Sequence, residues 1–276
     1  MNIENLREIG KALMGVAGDL RFAKNARDGI KVGASGDTTF PMDKAAEDAI
    51  VHYLENLGEP MTIISEELGI RQINGGTMRV IVDPVDGSKN AINGLALFCA
   101  SIAVADGSTI GDVNMGYVIN LASGDEYWAQ KGSGTYLNGN RVETRRDEKL
   151  EMVLVECQNP ARELPGLTGV FSMVYRMRCL GSIALDLAYV ASGSAGALVT
   201  MSKSRPFDYA AGLLLVREAG GIVTDVEGNS IDHLETGLKR SSSLLASANG
   251  VIHEKALQAI DKHRQPTNTG RQKNLG

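Results

Sequence analysis

Leu6, Ile9, Leu13, Val16 and Leu20 follow Ile3 every three or four positions, the spacing of an amphipathic helix with one buried stripe. The polar, glycine-containing stretch "DGIKVGASGD" then predicts a loop or hairpin. "MDKAAEDAIVHYLENLG" returns to the helical period through Ala45, Ala49, Ile50, Tyr53, Leu54 and Leu57, with Gly58 as the stop. After Gly58 the period changes. "MTIIS" and "MRVIV" are short β-branched runs, each leading into acidic residues. "FCASIAVAD", "DVNMGYVIN", "DEYWAQ" and "GTYL" continue as strands divided by Gly, Asp and Ser turns, and "LNGNRV" carries the Asn-Gly signal of a tight hairpin. Residues 1–145 therefore predict helices covering a largely antiparallel sheet.

Residues 146–264 alternate instead. "MVLVEC" and "YRMRCLG" predict strands, "SIALDLAYVASG" a helix and "AGALVTM" another strand. "FDYAAGLLLVREAGG" is a helix closed by Gly220, followed by strands "IVTDV" and "SLLASA" and the helix "VIHEKALQAIDKHR". This is a second α/β unit, giving an α+β chain in two halves. Residues 265–276 are polar and aperiodic, which predicts a disordered tail.

The 276 residues, 43% hydrophobic and 22% charged, suit a soluble globular protein of one large or two fused domains. A net charge of −5 argues against a nucleic-acid partner. It leaves an anionic small substrate open, because bound divalent cations reverse the sign of a cleft locally. Cys99, Cys157 and Cys179 are far apart without a CxxC pair, and are expected to be buried, reduced thiols. The start "MNIENLREIG" lacks a signal pattern, and no apolar run approaches the ~20 residues that span a bilayer. A cytoplasmic protein without membrane contact is the expectation. His52, His233, His253 and His263 are scattered, none beside a nucleophile, so histidine triads and HExxH zinc chemistry lack support. Catalysis falls to carboxylates.

Four acids stand out by position: Glu66 after "MTIIS", Asp83 and Asp86 after "MRVIV", and Asp208 opening the "FDYAAGLLLV" helix. Each alone reads as a solvated loop end or helix cap, and Asp43 alone as a first-turn acid favoured by the helix dipole. "DPVDGS" as a unit asks for more. Two carboxylates three residues apart repel unless a cation or a proton lies between them. Oxygen donors of this kind suit hard cations such as Mg²⁺ or Mn²⁺ rather than zinc. The Gly-Ser amides beside Asp86 offer a nest for an anion. Carboxylates next to an anion nest are the parts of metal-assisted phosphate-ester hydrolysis.

"VDPVDGSKN" and "FDYAAGLLLVREAGG" resemble the two signature segments of the inositol monophosphatase family, and "MDKAAED", "SEELG" and "LGSIALDLAYVASG" stand in the matching order. The resemblance spans about residues 5–262. It implies a five-layered αβαβα sandwich, usually a homodimer, and direct in-line attack on phosphorus by a metal-activated water. By motif, Glu66, Asp83, Asp86, Asp208 and the Val85 carbonyl resemble the metal ligands. Asp43 and Ser88 resemble the pair that polarises the water, aided by Glu66. Asp86, the amides of Gly87 and Ser88, and Gly181, Ser182 and Ile183 resemble the substrate wall. Mg²⁺ is the implied cofactor, with Mn²⁺ as a substitute and Li⁺ and Ca²⁺ as inhibitors.

The chain departs from the pattern in places: Ser88 stands for the common Thr, Ala91 for an aromatic and Phe207 for Trp. In "ALVTMSKSRPFD", Thr200 takes the place of an acid that grips inositol hydroxyls, and Lys203 and Arg205 follow. That weakens strict inositol specificity and predicts a cationic rim for a second phosphate. The expected substrates are inositol-1-phosphate and fructose-1,6-bisphosphate. The alternatives are a 3′(2′),5′-bisphosphate nucleotidase, or an inactive regulatory member, whose signature would be a lost metal acid. None is lost.

Overall fold

The computed structural model describes residues 1–20 and 26–264. The amphipathic start forms α1 (Ile3–Leu20), which buries Leu6, Ile9 and Leu13. The polar stretch is a hairpin, β1 (Lys31–Val32) against β2 (Thr38–Thr39). Pro41 opens α2 (Pro41–Leu57), and Asp43 Oδ2 accepts from the Phe40 N–H at 2.7 Å, as expected for a first-turn acid. The buried stripe of α2 is Met42, Ala46, Ile50 and Leu54; Ile50 and Leu54 were expected from the sequence, while the expected Ala49, Tyr53 and Leu57 are only partly buried at its edge.

Then come β3 (Met61–Ser65), β4 (Gly69–Ile73), β5 (Arg79–Asp86), α3 (Ser88–Ile92), β6 (Cys99–Ala105), β7 (Val113–Asn120), β8 (Glu126–Gln130), β9 (Gly134–Leu137) and β10 (Asn140–Val142). These eight strands form one sheet in the order β10-β9-β8-β7-β6-β5-β3-β4, antiparallel except for β3 beside β5. The second half supplies β11 (Met152–Glu156), α4 (Pro160–Glu163), α5 (Thr168–Phe171), β12 (Arg176–Arg178), α6 (Ile183–Ala191), β13 (Ala197–Ser204), α7 (Pro206–Glu218), β14 (Ile222–Thr224), β15 (Ser242–Ser247) and α8 (Gly250–Arg264). Its five strands run β12-β11-β13-β15-β14.

Three apolar clusters order the layers. Alternate residues of a strand face opposite sides, so Ile63, Val80 and Val82 pack under α1 and α2, while Ile64 and Ile81 pack against α6 and α7. The same middle helices cover Leu154, Leu198 and Leu244 of the small sheet. Val153, Val199 and Leu245, on its far side, pack with Ile252, Ala256 and Ile260 of α8. The layers are therefore α-β-α-β-α, as the resemblance implied. Covered on both faces, β5 and β6 read as unbroken apolar runs. α7 is buried nearly all round and lies hard against the large sheet: a Cβ at Gly116 would come within 2.7 Å of the Ala211 carbonyl oxygen.

Among the described residues no helix is long and apolar enough to cross a membrane. The tail 265–276 lies outside them.

Candidate active site

The puzzle of Asp83 and Asp86 is one of parity. The β5–β6 ladder pairs Asp83 with Ser101 and Asp86 with Cys99, three steps along one strand against two along the other. The extra residue is a β-bulge. Asp83 continues the Ile81 face, and in a regular strand Val85 would share that face while Asp86 would not. The bulge inverts this. Val85 packs with Val80 and Val82, and Asp86 meets the start of α6, where its Oδ2 accepts from Ser182 Oγ and Ala184 N, both at 2.7 Å. Pro84, which has no N–H to give, falls in the interrupted stretch of the ladder.

Gly87 turns the chain out of the strand at φ +90°, and a Cβ there would stand 2.9 Å from the Leu97 carbonyl oxygen and 3.1 Å from that of Gly181. Only glycine fits. Ser88 then donates from Oγ to the Val85 carbonyl at 2.8 Å.

Three further acids converge on this point. Glu66 follows β3, and its N–H donates to the Val82 carbonyl at 3.2 Å, which sets it beside Asp83. Its loop is tied to α2 by Glu47, which accepts from Ser65 Oγ at 2.5 Å and Leu68 N at 2.7 Å. One turn earlier on α2, Asp43 lies behind Ser88 and Phe40; its Oδ1 is buried and meets no donor. Asp208, in the first turn of α7, accepts from Arg205 N at 2.7 Å. The partial positive ends of α6 and α7 thus face Asp86 and Asp208.

Burial and mutual repulsion hold these groups far from ordinary carboxylate behaviour. Burial pushes Glu66 up to about 8, helped by the charges of Asp208, Glu67 and Asp43. Asp86 rises to about 8 through burial and Asp208. Asp83 is raised well above its usual range by burial, then by Glu66 and Asp86. Asp43 reaches about 7 through burial, opposed by the Phe40 N–H, the Ser88 hydroxyl and Lys89. Asp208 reaches about 6 through burial, with Arg205 and Arg240 opposing.

Glu66, Asp83, Val85, Asp86, Gly87 and Ser88 line one cleft of about 630 Å³ with Gly181, Ile183, Thr200, Arg205 and Asp208. Ser182 is buried behind its wall, positioning Asp86. Thr200 is buried too, and its Oγ1 accepts from Leu244 N at 3.1 Å. The expected cationic rim needs correction. Lys203 is exposed but lines a separate pocket with Asp225 and Asn229. Arg205 is in the cleft but already engaged: Nη1 pairs with Asp37 at 2.6 Å, Nη2 donates to the Ser35 carbonyl at 3.0 Å, and Glu66 is 4.0 Å away. It clamps the β1–β2 hairpin over the carboxylates. Of the three free cysteines only Cys99 is buried as expected: Cys157 is half-buried in the cleft and Cys179 is exposed.

Sequence reasoning missed Arg240, Lys89 and Glu156, all lining the cleft. Glu156 Oε1 accepts from Leu180 N at 2.9 Å and Gly181 N at 2.6 Å, while Asn90 Nδ2 donates to the Leu180 carbonyl at 2.6 Å. Together they fix the Gly181 turn against Gly87. Behind Glu156, the wholly buried Asp186 has no donor for either carboxyl oxygen, and burial and Glu156 raise it well above its usual range.

The donor set fits a hard cation. It is all oxygen, Asp43 Oδ1 is an orphaned buried acceptor, and Arg205 is the main counter-charge near Glu66. Among the described residues no three acidic, His or Cys side chains already converge as ligands of one ion. The carboxylates would have to draw together around one.

A layered sandwich whose cleft is floored by such acids belongs with the phosphoric monoester hydrolases, and comparison with known proteins says which. The model of the inositol monophosphatase family matches residues 1–265, and the chain belongs to that family, whose members are generally metal-dependent. It is 41% identical over 249 residues to a fructose-1,6-bisphosphatase/inositol-1-monophosphatase of Methanothermobacter thermautotrophicus, covering 86% of this chain and 89% of that protein. A bifunctional NADP phosphatase/NAD kinase of Methanococcus maripaludis is 30% identical over 271 residues, 87% of this chain and 46% of that protein. The solved structure of Thermotoga maritima IMPase superposes with a TM-score of 0.78 at 28% identity, over 94% of this chain and 98% of that one.

Proposed function

We propose that the protein hydrolyses small sugar and polyol phosphates, chiefly fructose-1,6-bisphosphate and inositol-1-phosphate, with a divalent cation held by its carboxylate floor. One observation carries this reading: Glu66, Asp83, Asp86 and Asp208 line the floor of one cleft, with the buried Asp43 carrying an unpartnered Oδ1 behind Ser88. Glu66, Asp83, Asp86 and Asp208, with the Val85 carbonyl, are the residues to hold the cation. Mg²⁺ suits them best, Mn²⁺ substitutes, and Li⁺ and Ca²⁺ inhibit. When bound, such a cation lowers the pKa of water and stabilises the charge on the leaving oxygen.

The rest falls to the chain. Asp43, through its free Oδ1, and the Ser88 hydroxyl orient the attacking water, with Glu66 beside them. The Gly87 and Ser88 amides hold the phosphate oxygens. Asp86, fixed by Ser182 and Ala184, aligns the reacting end, while Gly181, Ile183 and Thr200 bound the sugar. A cytoplasmic homodimer without nucleic-acid or membrane partners completes the reading.

A 3′(2′),5′-bisphosphate nucleotidase is the second reading, favoured by the relative named as an NADP phosphatase. Phosphate release from inositol-1-phosphate, fructose-1,6-bisphosphate, adenosine 3′,5′-bisphosphate and NADP, with and without Mg²⁺, separates the two. The first two substrates should turn over only with the cation. Full turnover in excess chelator after verified metal removal overturns the cation's part, and turnover of the nucleotides alone replaces the first reading with the second.

A further inference from the structure

The cleft has a second cation, whose charge reaches Asp208 but which forms no ion pair with the floor among the described residues. Arg240 lines its mouth, just before β15. Its position is built rather than accidental. The β13–β15 register breaks between Thr200 and Ser204, and beyond the break Ser241 N donates to the Ser204 carbonyl at 2.9 Å. Ser241 Oγ is also 2.8 Å from the Tyr209 hydroxyl, on buried α7. Arg240 Nη1 donates to the Lys203 carbonyl at 3.1 Å. One of the five guanidinium N–H groups is engaged in this way, which orients the rest. Among the described residues Arg240 makes no ion pair, whereas Arg205 is paired with Asp37. Lys89 sits at the reacting end, next to Ser88 and 4.5 Å from the centre of the Phe40 ring.

We propose that Arg240 is a specificity-determining residue, contacting the second, non-reacting phosphate of a bisphosphorylated sugar. This rests on the sugar-phosphatase reading above. The acidic floor with its cation takes the phosphate that is cleaved. A monophosphorylated polyol leaves Arg240 without an anionic partner, but a sugar with phosphates at both ends brings a dianion to the mouth. A guanidinium already held at one edge grips such a group through its remaining fork, bidentately and at low entropic cost.

The test compares wild type with Arg240→Ala and Arg240→Lys on fructose-1,6-bisphosphate and inositol-1-phosphate, with Mg²⁺ present. Arg240→Ala should lower kcat/KM for the bisphosphate about tenfold, mostly through KM, on the scale of one lost charge-assisted contact. Inositol-1-phosphate should change less than about twofold. Arg240→Lys, which keeps the charge and loses the fork, should fall between. The side chain is exposed, so Tm should stay unchanged in both variants. Equal losses on both substrates, no loss on either, or a loss confined to kcat overturns the assignment of Arg240 while the phosphatase reading stands. A wild-type protein that hydrolyses neither substrate overturns both.

Discussion

The floor and the mouth of the cleft are built by different means. The floor is made of strand ends and helix starts: the bulged end of β5, the loop closing β3, the first turns of α6 and α7. Its side chains are buried or half-buried, those of Asp43, Asp83, Asp86 and Asp208 are bonded to backbone, and their charges work against one another. The mouth is made of a register break and a polar turn, and its arginine is exposed and without an ion pair among the described residues. Arg205 marks the border. Three residues before Asp208, its side chain is only 11% exposed against 56% for its partner Asp37. The floor should therefore govern chemistry on any substrate, and the mouth the choice between substrates.

The severest challenge to that division is Asp83→Asn. It should reduce kcat by ~10³-fold or more on mono- and bisphosphates alike, because Asp83 is buried among Glu66, Asp86 and Asp208. A near-normal kcat would remove Asp83 from the floor. Arg205→Ala should come next. Although it is a cation near the rim, its partners are Asp37, the Ser35 carbonyl and Glu66, so both substrates should lose about tenfold in kcat/KM. A loss confined to the bisphosphate would move Arg205 to the mouth.

The smallest effect is on stability. The floor carboxyls have folded-state values raised above their unfolded ones, so the folded protein binds protons more tightly. The stabilisation this gives is present at low pH and lost as pH rises through about 6 for Asp208 and about 8 for Glu66 and Asp86. Without divalent cation, Tm should fall by several degrees across that window, at about 2–4 °C per kcal/mol for a chain of this size. Added Mg²⁺ should restore it. A flat metal-free profile would mean that the floor is less strained than its burial implies.

The same division explains what could be read in advance. The central strands of the large sheet, β3, β5, β6 and β7, were legible because both faces are apolar, and α7 because its apolar run is long and opens on Pro206. Glu66, Asp83, Asp86 and Asp208 stood where those patterns ended. β4 was missed because its middle residues are exposed and "GIRQI" has no alternation. Arg240 was missed for a related reason: "LKRSSS" belongs to no period, and only the register break in a strand some forty positions earlier brings it to the cleft. Arg205 lines the cleft as its position suggested, but Lys203 does not, and nearness to Asp208 in sequence could not show that Asp37 already holds Arg205. Asp43 needed the resemblance, since its capping bond to Phe40 is what any first-turn acid would make.

The bulge in β5 also makes the signature brittle in a way that a loop is not. A loop absorbs an added residue by bowing outward. In a strand buried on both faces, one residue gained or lost before Asp83 exchanges the faces, sending Val80 and Val82 toward α7 and Ile81 toward α1. The two aspartates can therefore not drift along the chain by single steps as related sequences diverge. Their spacing from the preceding apolar residues is a matter of odd and even, fixed by the core on either side as firmly as by the chemistry at the end of the strand.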